Sequence, residues 1–159
     1  TNEVGEETQA LEKLEDGKRL IKLEREILSY INRIRARHDL APLRPEARLA
    51  KAAVLHSRDM FDHDYFSHIA PRAEGRTFVG RIKAQGLEGF GRAGENLAQG
   101  PYRRNVAKQF VRSWMKSPEH RANILKPNYR FSGIGVYGDR GNLFATQLFA
   151  QRLSPHRVR

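Results

Sequence analysis

Gly94-Glu95-Asn96-Leu97-Ala98 is the stretch of this sequence around which the rest of the chain can be organised. It places one carboxylate between a glycine-rich segment, residues 86–94, and a short apolar run. Gly94 lets the backbone lie where a Cβ would clash, so the side chain that follows it can be aimed freely. A glutamate after a glycine is most often a solvated loop residue, so its role depends on which other residues reach it.

The length and composition are those of one globular domain. The chain has 159 residues, of which 39% are hydrophobic, enough for a sizeable core. The absence of cysteine excludes a disulfide framework and thiolate metal sites. No apolar run approaches the roughly 18 residues of a membrane span, and the first 20 residues are charged, unlike a signal peptide. We expect an acidic lead over residues 1–17, one domain over 18–153 and a basic tail over 154–159.

Positive charge is concentrated after the first 16 residues. Residues 1–16 hold six acidic side chains and one lysine, a balance of −5, and the whole chain carries +11, so the remainder carries +16. A basic body favours anionic surroundings such as a membrane surface, an envelope polymer or nucleic acid. It is equally compatible with a surface tuned for solubility. Nucleic acid is the least favoured of these partners, because the sequence has no base-reading motif and no interleaved aromatic platform.

The first half of the chain is expected to be helical. Apolar residues at spacings of three and four predict an amphipathic helix over residues 18–37. Pro45 is placed to open a second helix that runs to Met60. Residues 62–74 then form a loop.

Helices continue in the second half, and strands follow at its end. A short helix is predicted over residues 77–85 and a longer one over 104–116, and Ser117-Pro118 reads as the cap and first residue of another. Two apolar runs, 133–137 and 143–150, predict a β-hairpin. This order predicts an α+β fold in which helices cover a sheet.

Two histidines are candidate partners of Glu95. His68 follows Phe66, whose ring can anchor the loop while the imidazole faces the other way. His120 falls in the first turn of a helix, whose positive end would lower its pKa and favour the neutral imidazole. Two neutral imidazoles and a carboxylate suffice to bind Zn²⁺ with water at the open positions. Without a metal, the same three groups could act as base, acid and orienting group.

Four further residues are candidates for lining the same cleft. His56 shares a helix face with apolar residues, so it is either a core histidine or a residue at the cleft. Asn96 follows Glu95 directly. Ser117 is assigned to helix capping, and Glu119 complements the helix dipole in the first turn.

Five ordered blocks of the sequence resemble one known family. They are His56-Ser57-Arg58-Asp59-Met60, Tyr65-Phe66-Ser67-His68, Gly94-Glu95-Asn96-Leu97-Ala98, residues 114–125 and Gly133-Ile134-Gly135-Val136. Together they resemble the bacterial branch of the CAP superfamily (cysteine-rich secretory, antigen 5 and pathogenesis-related 1 proteins; SCP-like domains). The resemblance covers about residues 24–152. It implies an α-β-α sandwich whose antiparallel sheet is covered by helices, in a secreted or envelope-attached protein.

The resemblance also implies a cleft in which two histidines and two glutamates gather and, in some members, bind Zn²⁺ or another divalent cation. Matched by position, the metal residues are His68, Glu95 and His120, and the catalytic candidates are Glu95 and His120. The second glutamate falls on Ser117, which puts any mechanism with two carboxylates in doubt and weakens the expected affinity for a divalent ion.

The expected function is therefore that of a binding module. Its cleft would bind a divalent metal or a small or lipidic ligand, with an anionic envelope polymer or a membrane surface as a further partner. The alternative is a metal-dependent hydrolase that acts on peptide or cell-wall polymer, although no nucleophile lies in a recognisable activation motif. The sequence leaves catalysis and the oligomeric state open.

Overall fold

The structure is a computed structural model that describes residues 17–71 and 77–153. The acidic lead expected over residues 1–17 lies outside the described residues except for Gly17, and the basic tail expected over 154–159 lies outside them entirely. The helices are α1 (Ile21–Arg37), α2 (Ala47–His63), α3 (Phe78–Ala84), α4 (Val106–Lys116) and α5 (Pro118–Ile124). The strands are β1 (Lys18–Arg19), β2 (Arg44–Pro45), β3 (Ala93–Gly100), β4 (Phe131–Gly138) and β5 (Leu143–Ala150).

One sheet forms the middle layer. Its strand order is β1-β4-β5-β3, and the pairs along this path are antiparallel, while the two-residue β2 pairs with β4 in parallel. The predicted hairpin is confirmed as β4 and β5. β3 pairs only with β5 on this path, with Glu95 opposite Leu148, and so lies at the edge of the sheet. Helices pack on both faces, which confirms the predicted sandwich.

Successive side chains of each strand point to opposite helical layers. On one face, Ile134 and Val136 of β4 pack with α1, α4 and α5. On the other face, Leu148 and Ala150 of β5 pack with α2 and α3. In β3, Leu97 packs toward α2 and Ala98 toward the layer of α1 and α4. Because side chains alternate along a strand, Glu95 shares the face of Leu97 and points toward α2 and α3.

Helix α2 lies directly on the backbone of β4. A Cβ at Gly133 or Gly135 would come within 2.1 Å of backbone atoms of α2, so only glycine allows this approach. Ser57 of α2 donates a hydrogen bond of 2.8 Å to the carbonyl of Gly135. This contact joins the inside of α2 to β4.

One predicted helix boundary and one predicted element type were wrong. Helix α2 begins at Ala47 rather than at Pro45, because Pro45 belongs to β2 and the Glu46 side chain caps the helix by accepting from two backbone N–H groups. Glu95 lies in a strand rather than at the end of a loop. The room at Gly94 is nevertheless used, since a Cβ there would lie 2.7 Å from the Tyr129 hydroxyl.

Helix α1 carries its predicted apolar face and one buried cation. Leu23, Ile27 and Ile31 are buried, and the helix begins after the short pairing of β1 with β4. Arg35 is fully buried, and its burial lowers the pKa of the guanidinium. It donates to the backbone carbonyls of Ala41, Ile124, Lys126 and Tyr129. This one side chain therefore fastens the segment after α5 to α1.

Candidate functional site

Glu95 is at the centre of the candidate site and holds two partners. Its side chain is 0% exposed. One carboxylate oxygen accepts from His68 Nδ1 at 2.8 Å, and the other accepts from Arg81 Nη2 at 2.5 Å. Arg81 also donates to the backbone carbonyl of His68 at 3.1 Å. The structure thus brings His68 and Glu95 together, as expected, and Arg81 of α3 contacts both of them.

Arg81 was missed by the sequence analysis. The short helix predicted around it is present as α3, capped by the Thr77 hydroxyl, which accepts from the N–H of Gly80. Phe78 and Ile82 of this helix pack into the core, and Arg81 lies three residues after the first and one before the second. A helix face shared with two apolar residues is the pattern that could have indicated a buried arginine.

The carboxylate fixes the orientation of the His68 ring. A carboxylate paired with a guanidinium only accepts hydrogen bonds, so we assign the proton of the neutral His68 ring to Nδ1. The His68 side chain is 49% exposed. Its Nε2 is therefore the nitrogen left to accept a proton or a hydrogen bond from a ligand.

His56 is buried beneath this loop rather than in the cleft. It is 1% exposed, and its Nε2 donates to the carbonyl of Ser67 at 2.9 Å. Its Nδ1 is buried and has no hydrogen-bond partner among the described residues. Burial, and then the positive charge of Arg81, lowers the pKa of His56. A neutral His56 thus supports the loop next to His68, which agrees with the interpretation as a core histidine.

His120 is half-buried at the start of α5. Burial lowers its pKa first, the charge of His68 lowers it further, and Glu119 acts in the opposite direction. The pKa of His120 is lowered, as expected, but burial and the charge of His68 lower it rather than the positive end of the helix. The two imidazoles are near enough for a charge on one to oppose a charge on the other. Glu119 itself is exposed and acts on the site through its charge.

Asn96 holds the helices against β3 instead of lining the cleft. It is fully buried, and its Nδ2 donates to the carbonyl of His120 at 3.1 Å. Asn123 donates to the Asn96 side chain at 2.9 Å, and Trp114 Nε1 donates to the carbonyl of Leu97 at 2.8 Å. These bonds attach α4 and α5 to the edge strand.

A groove runs along β3 beside the histidines, and we call it the β3 groove. Its volume is about 480 Å³. Its lining residues are Phe66, Leu97, Ala98, Gln99, Gly100, Pro101, Arg103, Val106, Gln109, Phe110, Ser113, Trp114, Ser117 and His120. Ser117 occupies the N-cap position of α5, but its side chain makes no cap hydrogen bond. The capping assignment was therefore wrong for the hydroxyl, and Ser117 is part of the groove wall.

The donor set does not fit a metal centre around Glu95. Within residues 17–71 and 77–153, no three histidine, cysteine, aspartate or glutamate side chains are grouped so that they could hold a metal ion. Both Glu95 oxygens are engaged, and Arg81 places a fixed positive charge where a divalent cation would have to approach. The expected metal site at His68, His120 and Glu95 remains a prediction that this geometry does not support.

Comparison with known proteins identifies one family and a similar bacterial protein. The model of the CAP family, described as the cysteine-rich secretory protein family, matches residues 28–149. The uncharacterized protein YkwD of Bacillus subtilis is 34% identical over 128 residues, which are 80% of this chain and 47% of that protein. None of the described helices is both long and apolar enough to cross a membrane.

Solved structures share the fold. An extracellular protein with a SCP domain from Bacillus anthracis matches with a TM-score of 0.71 and 34% identity, over 82% of this chain and 41% of that chain. An outer surface protein of Borrelia burgdorferi matches with a TM-score of 0.73 over 86% of this chain and 99% of that chain. At 20% identity, the Borrelia protein indicates the fold alone. The chain spans less than half the length of the two Bacillus proteins.

Proposed function

Because the chain belongs to the CAP family of cysteine-rich secretory proteins, we propose that it is a secreted or envelope-associated module that binds a ligand in the β3 groove. The Bacillus anthracis relative, which is 34% identical, is described as extracellular, and this supports the location. One observation carries the proposal: Glu95 is bound to Arg81, while the groove beside it is open and lined by both apolar and polar groups.

The ligand is organic rather than a metal ion. The groove volume lies within the range of small-ligand sites, and its apolar walls can bury part of a small or lipidic molecule. His120 lines the groove and supplies a hydrogen-bonding group to the ligand. Zn²⁺ would instead have to displace Arg81 from Glu95 and so break a buried ion pair.

Trp114 makes the groove directly observable. It is the only tryptophan in the chain and it lines the groove. We suggest titrating the protein with oleate and with a soluble muropeptide while Trp114 emission is measured. The substitution Ser113→Phe fills the groove from α4, and Ser29→Phe adds the same side chain on the exposed face of α1. At least one probe should bind saturably to the wild type and to the Ser29→Phe protein, and fail to bind to the Ser113→Phe protein.

Zinc calorimetry tests the metal version separately. The expected result is no saturable heat that depends on His68 and His120. Zinc binding that disappears in the His68→Ala plus His120→Ala protein, but persists in His38→Ala at the C-cap of α1, would overturn the metal-free proposal.

A hydrolase is the second candidate, and the His68–Glu95 hydrogen bond is the observation that favours it. A histidine oriented by a buried carboxylate can use Nε2 as a general base toward water. Mass spectrometry of muropeptides and peptides after incubation would detect cleavage. Cleavage that is lost in Glu95→Gln would favour this candidate, and bound but intact probes would favour the binding module.

A basic groove between α1 and α4 supports an anionic envelope polymer as a further partner. Ile34, Val111 and Met115 line it, and within the part of the chain that the structure describes no acidic residue does so. Its cationic residues are Arg33, Arg37, Lys108 and Arg112. Retention on anionic cell-wall polymer should fall as salt rises. It should also fall with Arg33→Glu plus Lys108→Glu, and much less with the matched pair Lys51→Glu plus Lys83→Glu on the opposite layer.

A further inference from the structure

The backbone of β3 offers hydrogen-bonding groups away from the sheet. In an antiparallel pair, the backbone N–H and C=O groups of successive residues point alternately toward the partner strand and away from it. The N–H and C=O of Val136 bind Glu24 and Leu20 on the β1 side of β4. Val136 is paired with Ala145 of β5, and Ala145 is paired with Ala98 of β3. Because Val136 directs its backbone groups away from β5, Ala145 and Ala98 direct theirs toward each other. The residues on either side of this position in β3, which include Glu95, Leu97 and Gln99, therefore direct their backbone groups away from the sheet.

Helices close the first half of this edge. The Asn123 side chain donates to the carbonyl of Glu95 at 3.4 Å, and Trp114 donates to the carbonyl of Leu97 at 2.8 Å. Both bonds come from the side facing away from β5, as the alternation requires. Here the edge strand is covered by side chains, which is a common way to keep such an edge from pairing with another chain.

The second half of the edge is open. Gln99 is exposed, and the structure shows no partner for its backbone N–H or C=O among the residues it describes. Gln99 lines the β3 groove, and α4 forms the opposite wall. A pair of unused backbone groups therefore lies along one side of a groove that is lined by the consecutive residues 97–101.

The charge of the groove is positive. Arg103 lines the groove, and none of the described residues that line it is acidic. In the wider segment 96–118 there are five lysine and arginine residues and no aspartate or glutamate. A ligand with a negative charge near Arg103 is therefore favoured over a positively charged one.

We infer that the β3 groove binds an extended peptide, which adds to the open edge at Gln99 as a further strand and directs an acidic side chain toward Arg103. This inference rests on the proposed function, because it names the ligand class of the same groove. Strand addition uses main-chain hydrogen bonds for affinity and side-chain pockets for selectivity. A fatty acid could fill the apolar walls, but it has no alternating N–H and C=O groups to satisfy Gln99.

A single proline separates strand addition from other binding modes. Because the N–H of Gln99 faces away from β5, Gln99→Pro removes an outward donor and leaves the pairing with β5 intact. Gln99→Ala removes only the side chain. The probe is an acetylated and amidated octapeptide of alternating glutamate and threonine, titrated by Trp114 emission. We expect Gln99→Pro to raise the dissociation constant about tenfold or more, the scale of a lost hydrogen bond, and Gln99→Ala to change it less than about threefold.

Two further measurements keep the test decisive if the proline variant is poorly folded. Hydrogen exchange of the Gln99 amide in the wild-type protein should slow when the peptide binds. An octapeptide N-methylated at every second residue, and one with lysine in place of glutamate, should both bind more weakly than the probe.

Equal affinity for the N-methylated peptide, or unchanged exchange of the Gln99 amide in the bound state, would overturn strand addition. If oleate or the muropeptide binds in a way that Ser113→Phe blocks while the peptide does not bind, the proposed function stands and this inference fails. If none of these probes binds to the groove, both fail.

Discussion

Arg81→Met is the substitution that tests the centre of the site most directly. It keeps an unbranched side chain of similar length and removes the charge that faces Glu95. In the native protein this pair is buried, with 9% of the Arg81 side chain and 0% of the Glu95 side chain exposed. After the substitution, His68 is the remaining described partner of a carboxylate that has no access to water.

The expected cost follows from leaving this buried carboxylate without its cation. Removal of one member of a buried ion pair destabilises proteins by about 3–5 kcal/mol. For a chain of this size, each kcal/mol lowers the melting temperature by roughly 2–4 °C, so a fall of about 6–20 °C is expected. A matched control is Arg48→Met, because Arg48 pairs with Glu46 at the surface with 49% of its side chain exposed. Exposed pairs contribute about 0–1 kcal/mol.

Urea denaturation of four proteins provides the measurement: wild type, Arg81→Met, Glu95→Gln and the double variant. The double variant should be less destabilised than the sum of the single variants, because Glu95→Gln removes the buried carboxylate charge that Arg81→Met leaves without its cation. The reasoning is refuted if Arg81→Met unfolds at the same urea midpoint as Arg48→Met, or if the effects of the two substitutions simply add.

Two other predictions concern the histidines and the packing of α2. Since burial lowers the pKa of both His56 and His120, the unfolded chain takes up protons first as the pH falls. The free energy of unfolding should therefore decrease below about pH 6.5, and the His56→Gln protein should show a smaller decrease. Urea denaturation at pH 7.5 and at pH 5 measures this difference. Equal stability of the wild type at the two pH values would contradict the prediction. Gly135→Ala should cost about 3 kcal/mol, because its Cβ would lie 2.1 Å from the backbone of Val54. The melting temperature should hardly change for Gly141→Ala, because a Cβ at this position would lie 3.5 Å from Asp139 Oδ1, an ordinary contact distance.

The sequence was sufficient where periodicity and turn chemistry act locally. The apolar stripe of α1, the short helix α3 and the β4–β5 hairpin all follow from patterns within one element. Strand β3 was not predicted, because its alanine, glycine and asparagine residues have low strand propensity. Its pairing with β5, which is 43 or more residues away at every paired position, makes it a strand. Long-range pairing of this kind leaves no periodic trace in the segment itself.

The same limit applies to the site. The juxtaposition of His68 and Glu95 was expected from the family resemblance, since a spacing of 27 residues carries no local information. Arg81 lies outside the five recognised blocks, and its ion pair depends on how α3 is placed against β3. Burial at that position gives a reason to look for a charged partner, because an arginine is rarely buried unless it is paired.

The recognised blocks therefore identify the fold more securely than they identify the chemistry. Asn96, Trp114 and Asn123 lie in those blocks, and all three use their hydrogen bonds to fix α4 and α5 to the edge of β3. Glu95 also lies in a block, yet Arg81 decides whether its carboxylate is free to act. In a chain with the same blocks and an uncharged residue at position 81, the Glu95 carboxylate would lack this cation and would keep its hydrogen bond with His68. Position 81, whose side chain pairs with Glu95, is thus the position at which the chemistry of this cleft would change, rather than the motif around Glu95.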